Sequence, residues 1–181
     1  GFDRPNLRFE VRRPKNKAGM LLQLVSERVQ KSGIVYCSTR REVENICAML
    51  QNNGISATRY HAGLDEKERH ANQDAFIYDR CAVIVATNAF GMGIDKSNVS
   101  YVIHYNMPQS IEAYYQEAGR AGRDGLPSDC LLLHSEQDVQ VQRFLIDQSQ
   151  GDEEHKEAEL KKLRTYIYDM KLDKKTTGKY L

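Results

Sequence analysis

Residues 82–88 read AVIVATN, a continuous apolar run that ends in Thr87 and Asn88. A short run of this kind, rich in β-branched residues, is typical of a strand that is covered on both faces of a sheet. Similar short runs recur at residues 34–37, 57–60, 99–104 and 130–133. We therefore predict five strands, several of them fully buried.

Helical patterns alternate with these runs, which predicts parallel strands joined by right-handed crossovers. The patterns lie at residues 21–29, 43–50, 66–76 and 111–118. The first two have the apolar spacing of an amphipathic helix. Gly33 and Gly54 fall where helix ends are expected, and Ser110 suits a helix start.

Residues 1–148 are thus predicted to form one α/β domain, a doubly wound parallel sheet with helices on both faces. Sheets of this kind bind ligands beyond the carboxyl ends of their strands, so functional residues are expected directly after each run. From Ser149 to His155 the chain is polar and acidic, which predicts a linker, and Lys156–Met170 has the pattern of a further helix. Residues 149–181 are therefore predicted to be a linker and a C-terminal helical extension.

The composition is that of an ordinary globular protein. The 181 residues include 26 Lys and Arg against 25 Asp and Glu, a net charge of +1, and 40% are hydrophobic. These values exclude a disordered chain, a collagen and a coiled-coil rod. No window approaches the roughly 18 apolar residues of a membrane span, so no membrane partner is expected. Because the chain begins with Gly1 and not with Met, we expect a piece of a longer protein.

The cysteines include no C-x-x-C pair and have no nearby paired histidines. They are Cys37, Cys47, Cys81 and Cys130. Because disulfide frameworks and zinc knuckles need closer clustering, we predict buried thiols in a reducing compartment. The sequence also contains no G-x-x-x-x-G-K-[ST] and no G-x-G-x-x-G after a strand, so the chain has no obvious means of holding a triphosphate and magnesium by itself.

Residues 114–125, which read YYQEAGRAGRDG, are the most informative segment. Arg120 and Arg123 are three residues apart, so on a helical turn they would share a face. Two neighbouring guanidinium groups suit a phosphate that carries charge on several oxygens. On spacing alone, solvated ion pairs of Arg120 with Glu117 and of Arg123 with Asp124 are the better interpretation, because such surface pairs are common.

Residues 83–96 read VIVATNAFGMGIDK, so polar residues and glycines follow a buried strand. The Thr87 hydroxyl and nearby backbone amides suit a nucleic-acid phosphate, and Asp95 could accept from a ribose hydroxyl. A strand-to-helix turn that Asp95 caps locally fits equally well.

Two further strand ends are polar. Ser38 and Thr39 with a helix N-terminus form a natural anion site, although a plain N-cap with Arg40 solvated is the better interpretation in isolation. His61 and His104 lie next to strands, where hydrogen-bonded structural histidines are expected.

The first 50 residues carry ten Lys and Arg against five Asp and Glu, which suits either a polyanion contact or a solvated surface.

In this order, the segments resemble the conserved motifs of the second RecA-like domain of the RecQ family of DNA helicases. Residues 2–6 (FDRPN) resemble the junction that opens that domain, and residues 114–125 resemble motif VI. Motif IV, the HAGL element and motif V are matched by residues 34–40, 60–64 and 83–95. A DEAD-box RNA helicase would be expected to have H-R-x-G-R-x-G-R, whereas this run has no His-Arg pair before its glycines and arginines.

The resemblance implies a nucleotide site shared between two domains. In the family, ATP with Mg²⁺ binds in the cleft between two RecA-like domains, and the first domain carries the P-loop. It implies that Arg123 is the arginine finger, that Arg120 is a second phosphate or sensor arginine, and that Gly93 and Asp95 face the nucleotide. The missing P-loop is then expected, and this chain alone is expected to hydrolyse no ATP.

The resemblance also implies single-stranded and duplex DNA as partners, together with the first RecA-like domain of the same polypeptide. It places seven residues along the single strand: Ser38, Thr39, Arg40, His61, Gly63, Thr87 and Asn88. It further implies 3′-to-5′ unwinding, a role in DNA repair and recombination, and an intracellular location. That location would be the cytoplasm or nucleoid in a bacterium and the nucleus in a eukaryote.

One stretch departs from the family pattern. Most RecQ proteins continue into a zinc-binding subdomain with several cysteines, but residues 163–178 contain none. We therefore predict a helix that is retained, and no zinc in this chain. Two other functions stay open, a non-catalytic nucleic-acid-binding module and the motor domain of an RNA helicase.

Overall fold

A computed structural model describes residues 4–91, 93–135, 138 and 153–177, of which residues 153 and 171–177 are described as backbone alone. Six parallel strands form one sheet: β1 (Leu7–Arg12), β2 (Ser32–Tyr36), β3 (Ala57–Tyr60), β4 (Val83–Ala86), β5 (Val99–His104) and β6 (Ser128–Leu133). The described helices are α1 (Lys17–Ser26), α2 (Arg40–Asn52), α3 (Glu66–Ile77), α4 (Ile111–Ala118) and α5 (Glu153–Thr177). The strand order is β1-β6-β5-β2-β4-β3.

The predicted α/β class is confirmed by the way the helices cover the sheet. The central strands β5, β2 and β4 are almost entirely buried. On one face, Leu21 of α1 and Leu50 of α2 pack into the cluster that contains Val35. On the other face, Phe76 of α3 and Ala118 of α4 belong to a second buried cluster. Helices therefore lie on both faces, as the uninterrupted apolar runs predict.

The carboxyl ends of four neighbouring strands are aligned. Tyr36 of β2 pairs with Ala86 of β4 and with His104 of β5, and Tyr60 of β3 also pairs with Ala86. The loops that follow these strands consequently leave the sheet side by side at one edge. This is the edge at which a parallel sheet is expected to bind its ligands.

Strand β1 is absent from the five strands predicted above. Its sequence, LRFEVR, alternates apolar and charged residues with a period of two, the pattern of a half-buried strand. Leu7, Phe9 and Val11 pack into the core, and β1 forms the sheet edge beside β6. An edge strand buries only one face, so it lacks the continuous apolar run by which the other strands are predicted.

Two expected features near α1 are wrong. The helix ends at Ser26, so Val29 lies beyond it and is 62% exposed. Gly33 lies inside β2 and not at a helix end. A Cβ at Gly33 would overlap the ring of Tyr101 on the neighbouring strand, so the glycine makes room for that side chain.

Two other predicted helix ends are confirmed. Gly54 follows α2 with a φ of 78°, a left-handed conformation that favours glycine. The Ser110 hydroxyl accepts a hydrogen bond from the Ala113 N–H at 3.0 Å and caps α4.

Helix α5 begins at Glu153, earlier than Lys156, so the end of the predicted linker is helical, while residues 149–152 lie outside the described residues.

Helix α5 packs on the second face of the sheet. Leu160, Leu163 and Ile167 are buried in a cluster with Tyr114 of α4 and Leu132 of β6. The predicted helical extension therefore contributes to the core of the domain.

All four cysteines are buried free thiols, as predicted. Burial raises the pKa of the Cys47 thiol to about 11, which keeps it in the unreactive protonated form. Among the described helices, none is both long and apolar enough to cross a bilayer.

Candidate functional site

Seven of the predicted site residues lie in the loops that leave the aligned strand ends, or, for Arg40, at the first position of the helix that follows. They are Ser38, Thr39, Arg40, His61, Gly63, Thr87 and Asn88, and we call the surface that they form the strand-end surface. These residues follow β2, β3 and β4, whose carboxyl ends are in register. The structure thus brings together three segments that are distant in sequence.

The loop after β2 is fixed at two points. The Thr39 hydroxyl accepts a hydrogen bond from the Glu42 N–H at 3.1 Å. Thr39 is therefore the N-cap residue of α2, which is the interpretation favoured by its sequence position alone. The Ser38 N–H donates to Asn106 Oδ1 at 2.9 Å, which joins the loops after β2 and β5. Ser38, Thr39 and Arg40 remain exposed.

The loop after β3 is organised around a buried histidine. His61 is 6% exposed, and its Nε2 lies 2.8 Å from Glu44 Oε2. Its Nδ1 accepts a hydrogen bond from the Gly63 N–H at 3.0 Å. Burial would raise the pKa of Glu44, but hydrogen bonds from His61 and Arg59 outweigh it and lower that pKa. Both ring nitrogens of His61 are therefore engaged within the protein, which is the structural role expected from the residue alone.

The loop after β4 begins next to β3. The Thr87 N–H donates to Tyr60 O at 3.2 Å, and the Thr87 hydroxyl oxygen lies 3.4 Å from the Ala89 N–H. Asn88 is exposed and lines a pocket together with Ser38 and Asn106. Asn106 is a site residue that the sequence interpretation missed, although it follows β5 at the same edge of the sheet.

The predicted nucleotide-facing residues form a second group, which we call the arginine cluster. Its members are the predicted Gly93, Asp95, Arg120 and Arg123, together with Gly91, which the sequence does not predict to face the nucleotide; the phenol of Tyr36 contacts Arg120. Arg120 and Arg123 line the same pockets. The two arginines lie in the turn that follows α4 and not on a helix, because α4 ends at Ala118.

Arg120 is held by two groups from distant parts of the chain. Its Nε donates to the Tyr36 hydroxyl at 3.0 Å, and its Nη1 donates to the Gly91 carbonyl. Gly91 has a φ of 119°, and a Cβ there would overlap the guanidinium carbon of Arg120. The Tyr36 hydroxyl in turn donates to Phe90 O at 3.2 Å. Glycine at position 91 therefore allows the direct contact between this loop and Arg120.

Tyr36 can serve in this role because it is neutral. Burial raises the pKa of Tyr36 above its ordinary value, and the neighbouring Arg120 only partly opposes this. The hydroxyl accordingly keeps its proton and both donates and accepts. Tyr36 is a second site residue that the sequence interpretation missed.

Arg123 is more exposed than Arg120 and is held more loosely. Its Nη1 donates to Ile94 O at 3.2 Å and lies 3.9 Å from Asp95 Oδ1. The Arg123 side chain is 44% exposed and that of Asp95 is fully exposed. At Gly93, with a φ of 76°, a Cβ would meet open space.

The alternative pairing of the arginines with local acids is not what the structure contains. Glu117 lies against His104, with 2.9 Å between its Oε1 and the histidine Nε2. Both side chains are buried, which makes His104 a hydrogen-bonded structural histidine, as expected. The Asp124 carboxylate instead accepts from the Leu126 N–H at 3.1 Å. Both arginines are directed to the loop after β4.

In the part of the chain that the structure describes, no three His, Cys, Asp or Glu side chains are grouped so that they could hold a metal ion.

Comparison with known proteins gives a family match and several relatives in sequence. Residues 16–125 match the helicase conserved C-terminal domain. The chain is 50% identical over 167 residues to the ATP-dependent DNA helicase RecQ of Bacillus subtilis, covering 92% of this chain and 28% of that protein. It is 43% identical over 168 residues to the ATP-dependent DNA helicase hus2/rqh1 of Schizosaccharomyces pombe, covering 92% and 13% respectively. The chain thus spans 28% and 13% of the lengths of these two relatives.

Solved structures are similar in fold. The E. coli DEAD-box protein SrmB superposes with a TM-score of 0.65 at 24% identity, over 76% of this chain and 84% of that chain. The RNA helicase Prp28 from Chaetomium thermophilum, bound to ADP, superposes with a TM-score of 0.63 at 26% identity, over 78% of this chain and 35% of that chain. The predicted RecA-like fold is confirmed.

Proposed function

Because the chain belongs to the helicase conserved C-terminal domain family, in its RecQ branch, we propose that it is the second motor domain of an ATP-dependent DNA helicase. One observation carries the proposal: two guanidinium groups, Arg120 and Arg123, are anchored on a single loop that follows a central strand. An arginine pair that is fixed in this way is suited to phosphate oxygens presented by a separate body.

The arginine cluster fits the outer phosphates of a nucleotide. In the described contacts Arg120 uses Nε and Nη1, and Arg123 uses Nη1 alone, so N–H groups of both remain to donate. When bound, ATP supplies a phosphoryl group on whose oxygens charge is redistributed during transfer to water. The exposed Arg123 is proposed as the arginine finger, and the doubly anchored Arg120 as the sensor arginine. Gly93 and Asp95 are proposed to face the nucleotide, with Asp95 near the ribose.

Magnesium is assigned to the other motor domain. A Mg²⁺ ion at a polyphosphate is usually held by one or two carboxylates and by phosphate oxygens. Among the described residues of the arginine cluster the one carboxylate is Asp95, which lies beside Arg123. The proposal therefore leaves the P-loop and the Mg²⁺ ligands to the first RecA-like domain of the same polypeptide.

The strand-end surface is proposed to bind the backbone of single-stranded DNA. The exposed Ser38, Thr39 and Arg40 lie at the N-terminus of α2, where hydroxyls, backbone amides and a cation can contact phosphates. Thr87 and Asn88 extend this surface along the sheet edge. For His61 and Gly63, contact with DNA stays a prediction. Unwinding in the 3′-to-5′ direction and a role in repair and recombination are proposed from the family.

The two surfaces share one loop, which makes mechanical coupling possible. Thr87 begins this loop at the strand-end surface, and Gly91 and Ile94 further along it hold the two arginines. Tyr36 provides a second link, since its hydroxyl holds Arg120 while its backbone continues through Cys37 to Ser38. A shift of the arginines on nucleotide binding can therefore change the affinity of the strand-end surface for DNA.

The test is the Arg123→Ala variant of the full-length protein. We expect kcat for DNA-stimulated ATP hydrolysis to fall by about 10³-fold or more, with ATP binding largely intact. Arg8→Ala is the matched control, because Arg8 pairs with Asp129 at 3.0 Å on the sheet edge. Near-normal turnover of Arg123→Ala would contradict the proposal. Separately, we expect this chain alone to hydrolyse no ATP, and DNA-stimulated turnover by the isolated chain would refute that expectation.

The choice between DNA and RNA needs its own experiment. We propose DNA as the loading strand, and an intracellular site of action, because the relatives in both bacteria and yeast are DNA helicases. Unwinding that persists when the loading strand is replaced by RNA would favour the RNA alternative.

A further inference from the structure

We propose that Arg4 is a positioning residue for the arginine cluster, and that Asn6 supports it. This inference rests on the proposed function. Both residues lie in the short segment before β1, at the start of the described chain, and neither is part of the arginine cluster or of the strand-end surface. The proposal concerns how the backbone that carries Arg120 and Arg123 is held.

Arg4 grips the backbone on both sides of Arg120. Its Nη1 donates to Gly119 O at 3.2 Å, and its Nη2 donates to Ala121 O at 2.9 Å. One planar guanidinium group therefore spans two carbonyls that are separated in sequence by Arg120 alone. Such a fork fixes the direction of the intervening peptide as well as its position.

Asn6 adds hydrogen bonds to the backbone at Gly122 and beyond. Its Nδ2 donates to Gly122 O at 2.8 Å and to Leu126 O at 3.0 Å. Gly122 has a φ of 65°, and its N–H donates to Val99 O at 2.8 Å. The turn between the two arginines is thus tied to Asn6 and to strand β5.

The need for these contacts follows from where α4 ends. The last carbonyls of a helix have no partner within the helix and must be satisfied by other groups. Because α4 stops at Ala118, its last carbonyls are closed by the backbone of the following turn, with the Arg120 N–H donating to Glu117 O at 3.2 Å and the Ala121 N–H donating to Ala118 O at 3.1 Å, and the carbonyls of Gly119 and Ala121 lie beyond the helix. Arg4 donates to the carbonyls of Gly119 and Ala121, and Asn6 donates to that of Gly122, so the turn beyond the helix is held by these two side chains. Without them the turn is free to shift, and a displacement of about 1 Å can lower a rate by roughly 10²-fold.

The experiment uses the full-length protein with Arg4→Ala. We expect kcat for DNA-stimulated ATP hydrolysis to fall by roughly ten- to a hundredfold, with KM for ATP changed by less than about twofold. The probe is ADP with aluminium fluoride, a mimic of the phosphoryl group in transfer, whose affinity should fall with kcat while the affinity for ADP alone stays unchanged. Arg4→Lys should give a smaller loss in the same pattern. Its ammonium group can still donate to one of the two carbonyls, but it cannot span both. Arg8→Ala, in the adjoining strand β1, should match the wild type.

The outcomes separate this inference from the proposed function. If Arg4→Ala keeps its kcat while Arg123→Ala is inactive, the positioning role is overturned and the proposed function stands. If Arg123→Ala itself is fully active, the proposed function has failed. Equal losses of affinity for ADP and for ADP with aluminium fluoride would indicate general destabilisation and would also overturn the positioning role. Should Arg4→Ala fail to fold, Arg4→Lys decides the matter in the same assays.

Discussion

The arginine cluster and the strand-end surface are built in different ways. Arg120 is anchored by Tyr36 and Gly91, which are 84 and 29 residues away in sequence. In the strand-end surface, the side chains of Thr39 and His61 close local turns over three and two residues, and the longer contact to Asn106, 68 residues away, is made by the backbone N–H of Ser38. Long-range anchors fix the direction of a side chain relative to the whole sheet, whereas local turns fix only their own loop. This difference suits the proposed roles of the two surfaces, in which the cluster meets a reacting group and the strand-end surface follows a polymer backbone.

After the loss of Arg123 itself, the largest effect is expected from filling the space beneath Arg120. In the full-length protein, Gly91→Ala forces a Cβ into the guanidinium group at a φ of 119°, so kcat for ATP hydrolysis should fall by roughly 10²-fold. Gly125→Ala is the matched control, since Gly125 also has a positive φ, of 84°, but a Cβ there meets open space. Equal kcat values for the two variants would show that the contact with Arg120 is unimportant.

Removal of the Tyr36 hydroxyl should have a smaller effect on the same cluster. Tyr36→Phe deletes the acceptor for Arg120 Nε, and the loss of such a hydrogen bond corresponds to a decrease in kcat of up to about tenfold. Tyr101→Phe is the control, because the Tyr101 hydroxyl is buried and has no hydrogen-bond partner among the described residues. A loss of activity in both variants would point to packing and not to the hydroxyl of Tyr36.

At the strand-end surface, removal of a single hydroxyl should have a smaller effect, and it should act on DNA affinity and not on kcat. Thr87→Ala removes one hydroxyl that is proposed to contact a phosphate, so affinity for single-stranded DNA should fall by roughly two- to tenfold, measured by fluorescence anisotropy. The kcat at saturating DNA should change little. Thr165→Ala serves as the control, since that hydroxyl bonds to Lys161 O on α5. Unchanged DNA affinity in Thr87→Ala would remove this residue from the surface.

The smallest effect concerns acid stability of the strand-end surface. Glu44 lies beside His61 of this surface. Burial alone would raise the pKa of Glu44, but hydrogen bonds from His61 and Arg59 outweigh that effect and lower the pKa in the folded chain. Its carboxylate therefore stabilises the fold above its unfolded pKa of about 4.3 and loses that contribution as pH falls through the lowered value. Glu44→Gln should lower Tm slightly at neutral pH and flatten the decrease in Tm on acidification. Parallel Tm profiles for the variant and the wild type would contradict this origin of acid sensitivity.

The sequence predicts the fold where one physical signal dominates. Continuous β-branched runs such as residues 82–86 predict strands that are buried on both faces, and Ser110 predicts a helix start through its side-chain cap. The edge strand β1 was not predicted because it buries one face and carries charge on the other. The β2 residue Gly33 was misassigned because its role is to leave room for Tyr101, a neighbour across the sheet.

For the candidate site, the sequence supplies the residues and the fold supplies their anchors. Arg120 and Arg123 can be singled out from the YYQEAGRAGRDG run, yet their spacing alone favours ion pairs with local acids. The contacts of Arg120 with Tyr36 and Gly91 depend on where the loop after β4 crosses the end of α4. No local pattern contains that information. The same is true of Arg4, whose two acceptors are more than a hundred residues away.

The central claim is that Arg123 responds to the nucleotide and that the loop from Thr87 to Asp95 passes this response to the DNA. It is tested most directly by the affinity of the full-length protein for single-stranded DNA, measured with and without ADP and aluminium fluoride. The wild type is predicted to change its DNA affinity when this mimic binds, and Arg123→Ala is predicted to bind DNA normally without the mimic but to lose that change. A nucleotide-dependent change that persists undiminished in Arg123→Ala would contradict the account.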